Sequence, residues 1–250
     1  MSVAVRVRGV RERMAIAWAM GLVLGAAACG LAGYAARTLP PPRPLEELSY
    51  YPSGAHLEPA TLGHGESAAD LAWLRAVQYY GAHRLADNQF VRMGHVFDIL
   101  TSLAPHFEAA YVFGAFAMAQ EGRDFPGAER LMLRGIAANP RSAELAFELG
   151  FLYYVHPGGR ELRHAAEYFQ QSARLPGAPV QAARFAAYAR QQSGDLALAY
   201  ALWQDVRDHS PNRYLREIAQ TEMEKIRQAL ATGRRGVAVK RLPTPVVLFR

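Results

Sequence analysis

The chain has 250 residues, one cysteine and a formal net charge of +6. Residues 1–13 carry +3 and residues 231–250 carry +5, which leaves −2 for the rest of the chain. A nucleic-acid-binding domain presents basic residues on its folded body, so this distribution disfavours nucleic acid as a partner. Because no cysteine follows Cys29, the main domain has neither a disulfide nor a thiolate metal site.

A long apolar segment follows the basic tail of residues 1–13. Residues 14–36 contain no charged side chain, and about 20 apolar residues suffice to cross a bilayer as a helix. The arginines that precede this segment predict a cytoplasmic N-terminus and an extracytoplasmic domain. The sequence therefore predicts a single-pass protein of a bacterial inner membrane, with its main domain in the periplasm.

The apolar segment also allows other interpretations. The Ala26–Ala28 triplet suits a cleaved signal peptide, and Ala28 before Cys29 suits a lipoprotein signal, although Ala26 stands where leucine is usual. Against cleavage, small residues recur at every fourth position and form one stripe on a helix, which favours close packing of membrane helices. This stripe comprises Gly21, Gly25, Cys29 and Gly33.

Residues 37–66 are rich in proline and glycine. Three consecutive prolines at positions 40–42 favour an extended, semi-rigid segment. We therefore expect a linker here that holds the domain away from the membrane. Ser67 and Asp70 have the spacing of a capping box, which predicts that the first helix of the domain begins at residue 67.

Prolines then recur with a regular period. Pro105, Pro140, Pro176 and Pro211 are separated by 35, 36 and 35 residues. Such a period indicates an internal repeat, with room for two helices and two short turns in each unit. A cap residue followed by proline commonly opens a helix. We therefore expect the residues before Pro140 and Pro211, which are Asn139 and Ser210, to cap the helices that follow.

The residues within each period agree with one another. Small residues and large aromatic residues recur at matching positions of successive units: Leu149, Gly150, Tyr153, Ala165, Phe169 and Ser172 in one unit, Ala199, Trp203 and Pro211 in the next, and Phe113, Gly114, Ala128, Met132 and Pro140 in the one before. The pattern resembles the tetratricopeptide repeat (TPR) family over residues 67–211. This resemblance implies an all-α, TPR-type helical-hairpin solenoid of about four repeats after the N-terminal transmembrane helix.

The end of the chain has two parts. Residues 212–231 place apolar side chains on one face of a helix, as expected of a helix that caps the last repeat, so the solenoid domain covers residues 67–231. Residues 232–250 form a basic, apolar tail that contains two prolines. This tail is either disordered or docks on the domain or on a partner.

The TPR resemblance implies that a protein partner binds in a concave groove lined by the first helix of each repeat. The groove positions that it indicates are Trp73, Tyr80, Tyr111, Met118, Phe147, Phe151, Tyr154, Arg184 and Tyr188. Aromatic residues frequently dominate the binding energy of interfaces. We therefore expect the partner to contact four of them above all: Tyr111, Phe151, Tyr154 and Tyr188.

Motifs for catalysis or cofactor binding do not emerge from the sequence. No pair of the eight histidines has the zinc-hydrolase spacing, and no glycine-rich loop outside the apolar segment suits a phosphate. We therefore predict no catalytic residue, cofactor or metal.

The expected function is a membrane-anchored TPR scaffold, in envelope assembly, a pilus or secretion machine, or transport. The alternatives are an outer-membrane TPR lipoprotein of the pilotin or barrel-assembly type, acylated at Cys29, and an enzyme or ligand-binding domain that uses residues 50–66.

Overall fold

The computed structural model describes residues 3–38, 53–156 and 159–232. The chain divides into two compact units, Met1–Ser49 and Tyr50–Arg250. α-Helices make up 78% of the described residues and no strand occurs among them, which confirms the predicted all-α class. Part of the predicted linker (39–52), residues 157–158 and the predicted tail from residue 233 onward lie outside the described residues.

The first unit contains helix α1 (Val3–Thr38). Its most apolar stretch is Ala17–Tyr34, with a mean hydropathy of 1.5, and none of this stretch is buried. A helix of this length and hydropathy can span a bilayer or act as a signal anchor. Along the predicted small-residue stripe, Cys29 is exposed, and a Cβ atom added at Gly21, Gly25 or Gly33 would meet no atom of the described residues within 4 Å.

The second unit consists, in its described part, of ten further helices. They are α2 (Gly54–Ala60), α3 (Gly65–Leu85), α4 (Met93–Leu103), α5 (Glu108–Phe116), α6 (Phe125–Ala138), α7 (Ala143–Tyr154), α8 (Leu162–Ala173), α9 (Ala182–Gln192), α10 (Leu196–His209) and α11 (Arg213–Ala231). Helix α5 continues into a π-helical turn, Ala117–Glu121. From α3 to α11, each helix packs against the next one in the chain, and α5 also packs against α7. The result is four helix pairs, α3/α4 to α9/α10, followed by α11.

Two glycines allow close contact between the helices of a pair or of neighbouring pairs. A Cβ atom at Gly114 of α5 would lie 2.5 Å from Cγ of Phe97 on α4. A Cβ atom at Gly150 of α7 would lie 2.8 Å from Cδ1 of Phe169 on α8. Protein interiors are packed as densely as organic crystals, so each aromatic ring occupies the space that a side chain would need.

Helix α11 covers the last pair. Its buried residues Leu215, Met223 and Ile226 belong to one apolar cluster with Trp203 of α10. The Trp203 Nε1–H also donates a 2.7 Å hydrogen bond to Oε1 of Gln191 on α9. The apolar face predicted for residues 212–231 therefore packs on the preceding helices, as expected of a closing helix.

The prolines lie in the turns between pairs rather than at helix starts. Asn139 and Ser210 end α6 and α10, so the prediction that they cap the following helices was wrong. A residue before proline is restricted to extended conformations, so the helix stops there and the chain needs further residues to start the next one. Ser142 caps α7 through a 3.2 Å bond from Leu145 N–H, and Asn212 caps α11.

The start of the domain also differs from the expectation. Helix α2 forms within the segment 37–66 that we expected to be a linker, and it packs against α4. Leu57 of α2 contacts a buried cluster that includes Leu103, and such tertiary contacts outweigh weak local helix propensity. Helix α3 begins at Gly65 without a side-chain cap, so the capping box at Ser67 was also wrong.

Candidate functional site

Partly buried aromatic rings lie on the first helix of every pair and contact one another across the helices. We call them the aromatic row: Trp73, Tyr80, Phe113, Phe116, Phe151 and Phe185. The rings of Trp73 and Tyr80 on α3 lie 5.5 Å and 5.3 Å from that of Phe113 on α5. These distances are typical of attractive aromatic pairs. These contacts fix the orientation of the rings, and each ring keeps part of its surface exposed.

The second half of the row continues onto α7 and α9. The ring of Phe116 lies 5.9 Å from that of Phe151, which in turn lies 6.4 Å from the ring of Phe185. Phe113 and Phe116 are three residues apart on α5, and residues at this spacing are neighbours on one side of a helix. The row therefore consists of two groups of contacting rings, one on α3 and α5 and one on α5, α7 and α9, which meet at two residues of α5 that are three positions apart.

Two carboxylates accompany the row on α7. Glu144 and Glu148 are one helical turn apart, and Glu148 precedes Phe151 by three residues. Burial raises the pKa of Glu148 to about 7, and the negative charge of Glu144 contributes to the same shift. A carboxyl group with this pKa exchanges its proton near neutral pH, and a cation from a ligand would favour its charged form.

Arg184 supplies an opposite charge on α9. Its guanidinium carbon lies 5.6 Å from the ring centroid of Phe185, which is a cation–π distance. Its Nε–H is buried and has no hydrogen-bond partner among the described residues. A buried donor without an acceptor costs free energy, so Arg184 can gain from an acceptor that a ligand brings.

The side chains of the site provide contact surface of mixed character. The rings provide apolar area, Glu144 and Glu148 provide acceptors, and Arg184 provides a donor. Within residues 3–38, 53–156 and 159–232, no group of three or more His, Cys, Asp or Glu side chains is arranged to hold a metal ion. The site therefore combines apolar surface with hydrogen-bonding groups of both kinds.

Four of the nine predicted groove residues lie at this site: Trp73, Tyr80, Phe151 and Arg184. The other five are buried and unavailable to a partner, which corrects the prediction: Tyr111, Met118, Phe147, Tyr154 and Tyr188. The case of Tyr111 is the clearest, since it is 0% exposed and its hydroxyl donates to the carbonyl of Pro105 at 3.2 Å. The ring of Tyr188 packs 4.6 Å from that of Trp203.

Four residues of the site were missed: Phe113, Phe116, Glu148 and Phe185. The positions of Gly114 and Gly150 in the sequence could have indicated three of them. Gly114 and Gly150 face the neighbouring helix, so residues three before or four after each glycine share its buried side. By this spacing, the buried side of the two helices contains Tyr111, Met118, Phe147 and Tyr154. The more open side contains Phe113, Phe116 and Glu148.

In comparisons with protein-family models, curated proteins and solved structures, nothing matched the chain. Where the structure describes the chain, it is all-helical, with helices packed in neighbouring pairs. It carries one N-terminal helix that is long and apolar enough to span a membrane.

Proposed function

We propose that this protein is a membrane-anchored, non-enzymatic scaffold of the TPR type, which holds a segment of another protein against the aromatic row. In this proposal α1 spans the inner membrane with a cytoplasmic N-terminus, and the helix pairs lie in the periplasm. The process served is envelope assembly, a pilus or secretion machine, or transport. The observation that carries the proposal is that partly buried, mutually contacting aromatic rings lie on α3, α5, α7 and α9.

Three features support the TPR comparison. The second unit has four helix pairs in series, and each packs against the next. The periodic prolines fall in the turns that join the pairs. Small residues, such as Gly114 and Gly150, lie where helices cross closely. These are the features that the repeat pattern of the sequence implies.

The length of the row favours a peptide segment over a small molecule. Directly packed helices lie about 8–10 Å apart, so a row with members on four successive first helices is at least on the order of 25 Å long. An extended chain rises about 3.3 Å per residue, so about eight or nine residues span it. Exposed aromatic rings along such a surface are the residues most often found at the energetic centre of interfaces.

The charges of the site indicate the chemistry of that segment. A basic side chain would pair with Glu144 and Glu148, and apolar side chains would cover the rings. A carbonyl or carboxylate oxygen near the α9 end would satisfy the Nε–H of Arg184. We therefore expect a segment in which apolar and basic residues alternate.

A peptide titration tests this proposal with the full chain in phosphatidylcholine nanodiscs. The probe is a labelled peptide of alternating leucine and lysine, with glutamate in place of lysine as the matched peptide. Phe151→Glu is expected to weaken binding of the lysine peptide by at least about tenfold, which corresponds to about 1.4 kcal/mol. The control variant is Leu133→Glu, because Leu133 is an exposed apolar residue of α6 outside the row.

Binding that is lost in Phe151→Glu and retained in Leu133→Glu supports the proposal. Equal affinity in both variants, or no binding of the lysine peptide to the wild type above that to empty nanodiscs, contradicts it.

A further inference from the structure

The predicted tail (residues 232–250) has the composition that complements the aromatic row. From residue 233 onward it lies outside the described residues, but its sequence combines apolar side chains with basic ones. Residues 231–250 carry a charge of +5, whereas residues 14–230 carry −2. The row offers apolar rings and two carboxylates, so the two parts of the chain are complementary in polarity and in charge.

We propose that this tail folds back on its own chain and occupies the aromatic row until a protein partner displaces it. The inference rests on the proposed role of the row as a peptide-binding surface, and it adds an occupant that the chain itself supplies. Lys240 and Arg241 of the tail provide the positive charges. The carboxylates of Glu144 and Glu148 on α7 provide the negative ones. Because a partner has to compete with it, the tail is autoinhibitory.

Contacts between helices lead from α11 to the row. Helix α11 meets α9 where Gln191 Nε2 donates a 2.8 Å hydrogen bond to Oε2 of Glu222. Helix α9 meets α7 where Gln192 Nε2 donates a 3.3 Å hydrogen bond to the hydroxyl of Tyr154. Helix α11 continues for nine residues beyond Glu222, to Ala231, which corresponds to about 14 Å. The tail therefore starts beyond this junction and returns past α9 before it reaches α7.

The length of the tail sets the register of this path. Contacting helices lie about 8–10 Å apart, so Glu148 is on the order of 30 Å from the end of α11. An extended chain rises about 3.3 Å per residue, and Lys240 is nine residues beyond Ala231, so it spans that distance. The last apolar residues, Val246–Phe249, reach further along the row, to Phe113 and Phe116 on α5.

Two prolines lower the entropic cost of ordering the tail. Proline fixes its own φ and restricts the preceding residue to extended conformations, which applies to Leu242–Pro243 and to Thr244–Pro245. Proline-rich segments bind aromatic-lined grooves in the extended form that they already favour. These residues follow Lys240 and Arg241 directly, at the point where the tail would cross from α7 towards α5.

Two polar groups of the row gain partners from the tail. The Nε–H of Arg184 is buried and has no hydrogen-bond partner among the described residues, and a backbone carbonyl of the tail supplies an acceptor as the chain passes α9. Burial raises the pKa of the Glu148 carboxyl group to about 7, and an adjacent lysine or arginine would favour its charged form.

Photocross-linking of the purified full chain tests the occupant without any added peptide. The chain is placed in nanodiscs of phosphatidylcholine and phosphatidylglycerol, so that an anionic lipid surface competes for the basic tail. Benzoylphenylalanine at position 151 is expected to form an adduct that mass spectrometry maps to residues 233–250. Mixed nitrogen-isotope labelling should show that both peptides of the adduct come from one chain. Position 133 of α6, outside the row, is the control.

Two charge variants of the tail test the pairing with α7. Lys240→Glu together with Arg241→Glu is expected to lower the yield of the adduct from position 151 at least about fivefold, because like charges then face the carboxylates. Arg234→Glu together with Arg235→Glu is the matched control, since it makes the same change of charge. These two residues lie only about 10 Å of extended chain beyond Thr232, too close to α11 to reach Glu148, so the adduct should persist.

An adduct within one chain that is lost only in the 240/241 variant supports the proposal. No tail adduct from position 151, an equal yield from position 133, adducts only between chains, or equal losses in the two charge variants would each overturn it. The peptide titration fails or succeeds separately. Binding of the lysine peptide without a tail adduct leaves the proposed function standing and refutes the autoinhibitory tail, whereas a tail adduct without peptide binding contradicts the proposed function alone.

Discussion

The carboxyl group of Glu148 has a pKa of about 7 because it is largely buried on α7 beside Glu144. The fold thus favours its neutral form. Its contribution to stability is complete below the unfolded pKa of about 4.5 and is lost as the pH rises through about 7. One pKa unit corresponds to about 1.4 kcal/mol, so the loss is on the order of 3 kcal/mol.

Glu148→Gln removes this titration and tests it. Between pH 5 and pH 8, the free energy of unfolding of the wild type should fall by more than that of the glutamine variant, as measured by urea denaturation at both pH values. Because the histidines titrate in both proteins, only the difference between them reports on Glu148. An identical pH dependence of the two would contradict the assigned burial of this carboxyl group.

The sequence predicts a binding face on the first helix of each pair, and this stays a prediction. Of the residues predicted for it, Trp73, Tyr80 and Phe151 are partly buried members of the aromatic row, and Arg184 lies beside Phe185. On α5 the predicted groove contained Tyr111 and not Phe113. These residues are two positions apart, and each position turns the helix by about 100°, so their side chains lie on different sides of α5. The prediction therefore chose the buried side of α5.

At the scale of helices, the contact of α7 with α8 depends on the missing side chain of Gly150. In Gly150→Ala, the new methyl carbon would lie 2.8 Å from Phe169 Cδ1 and 3.1 Å from the carbonyl oxygen of Ala165. Overpacking of this kind costs about 1–3 kcal/mol. The expected result is a lower free energy of unfolding by that amount in urea denaturation.

Gly81→Ala is the matched control, since the same change is made inside helix α3 where nothing lies within 4 Å. Alanine has the higher helix propensity, so this variant should gain up to about 1 kcal/mol. Equal effects of the two substitutions would show that helix propensity, rather than the contact with Phe169, determines the outcome.

The arrangement of helices was largely predictable, whereas their ends were not. The proline period located the turns between pairs, because proline cannot continue a helix. The caps were misplaced, since Asn139 and Ser210 end the preceding helices while Ser142 and Asn212 start the next. Helix α2 escaped prediction because contacts with α4, rather than its own sequence, stabilise it.

For the whole molecule, the state of the N-terminus distinguishes an anchor from a lipoprotein. The proposal, in which α1 spans the membrane, predicts that the mature protein in membranes retains residues upstream of Cys29. The mass of the N-terminal peptide of the purified protein measures this directly. A chain that begins at an acylated Cys29 would instead support the lipoprotein alternative and contradict the anchor.

The central claim is that the aromatic row binds another protein, and site-specific photocross-linking in living cells tests it most directly. Benzoylphenylalanine is placed at position 151 within the row and, as a control, at the exposed position 133 of α6. The claim predicts one discrete adduct from position 151 that disappears in the presence of Phe185→Glu, and no such adduct from position 133. Adducts that are absent at 151, or equal at both positions, would contradict it.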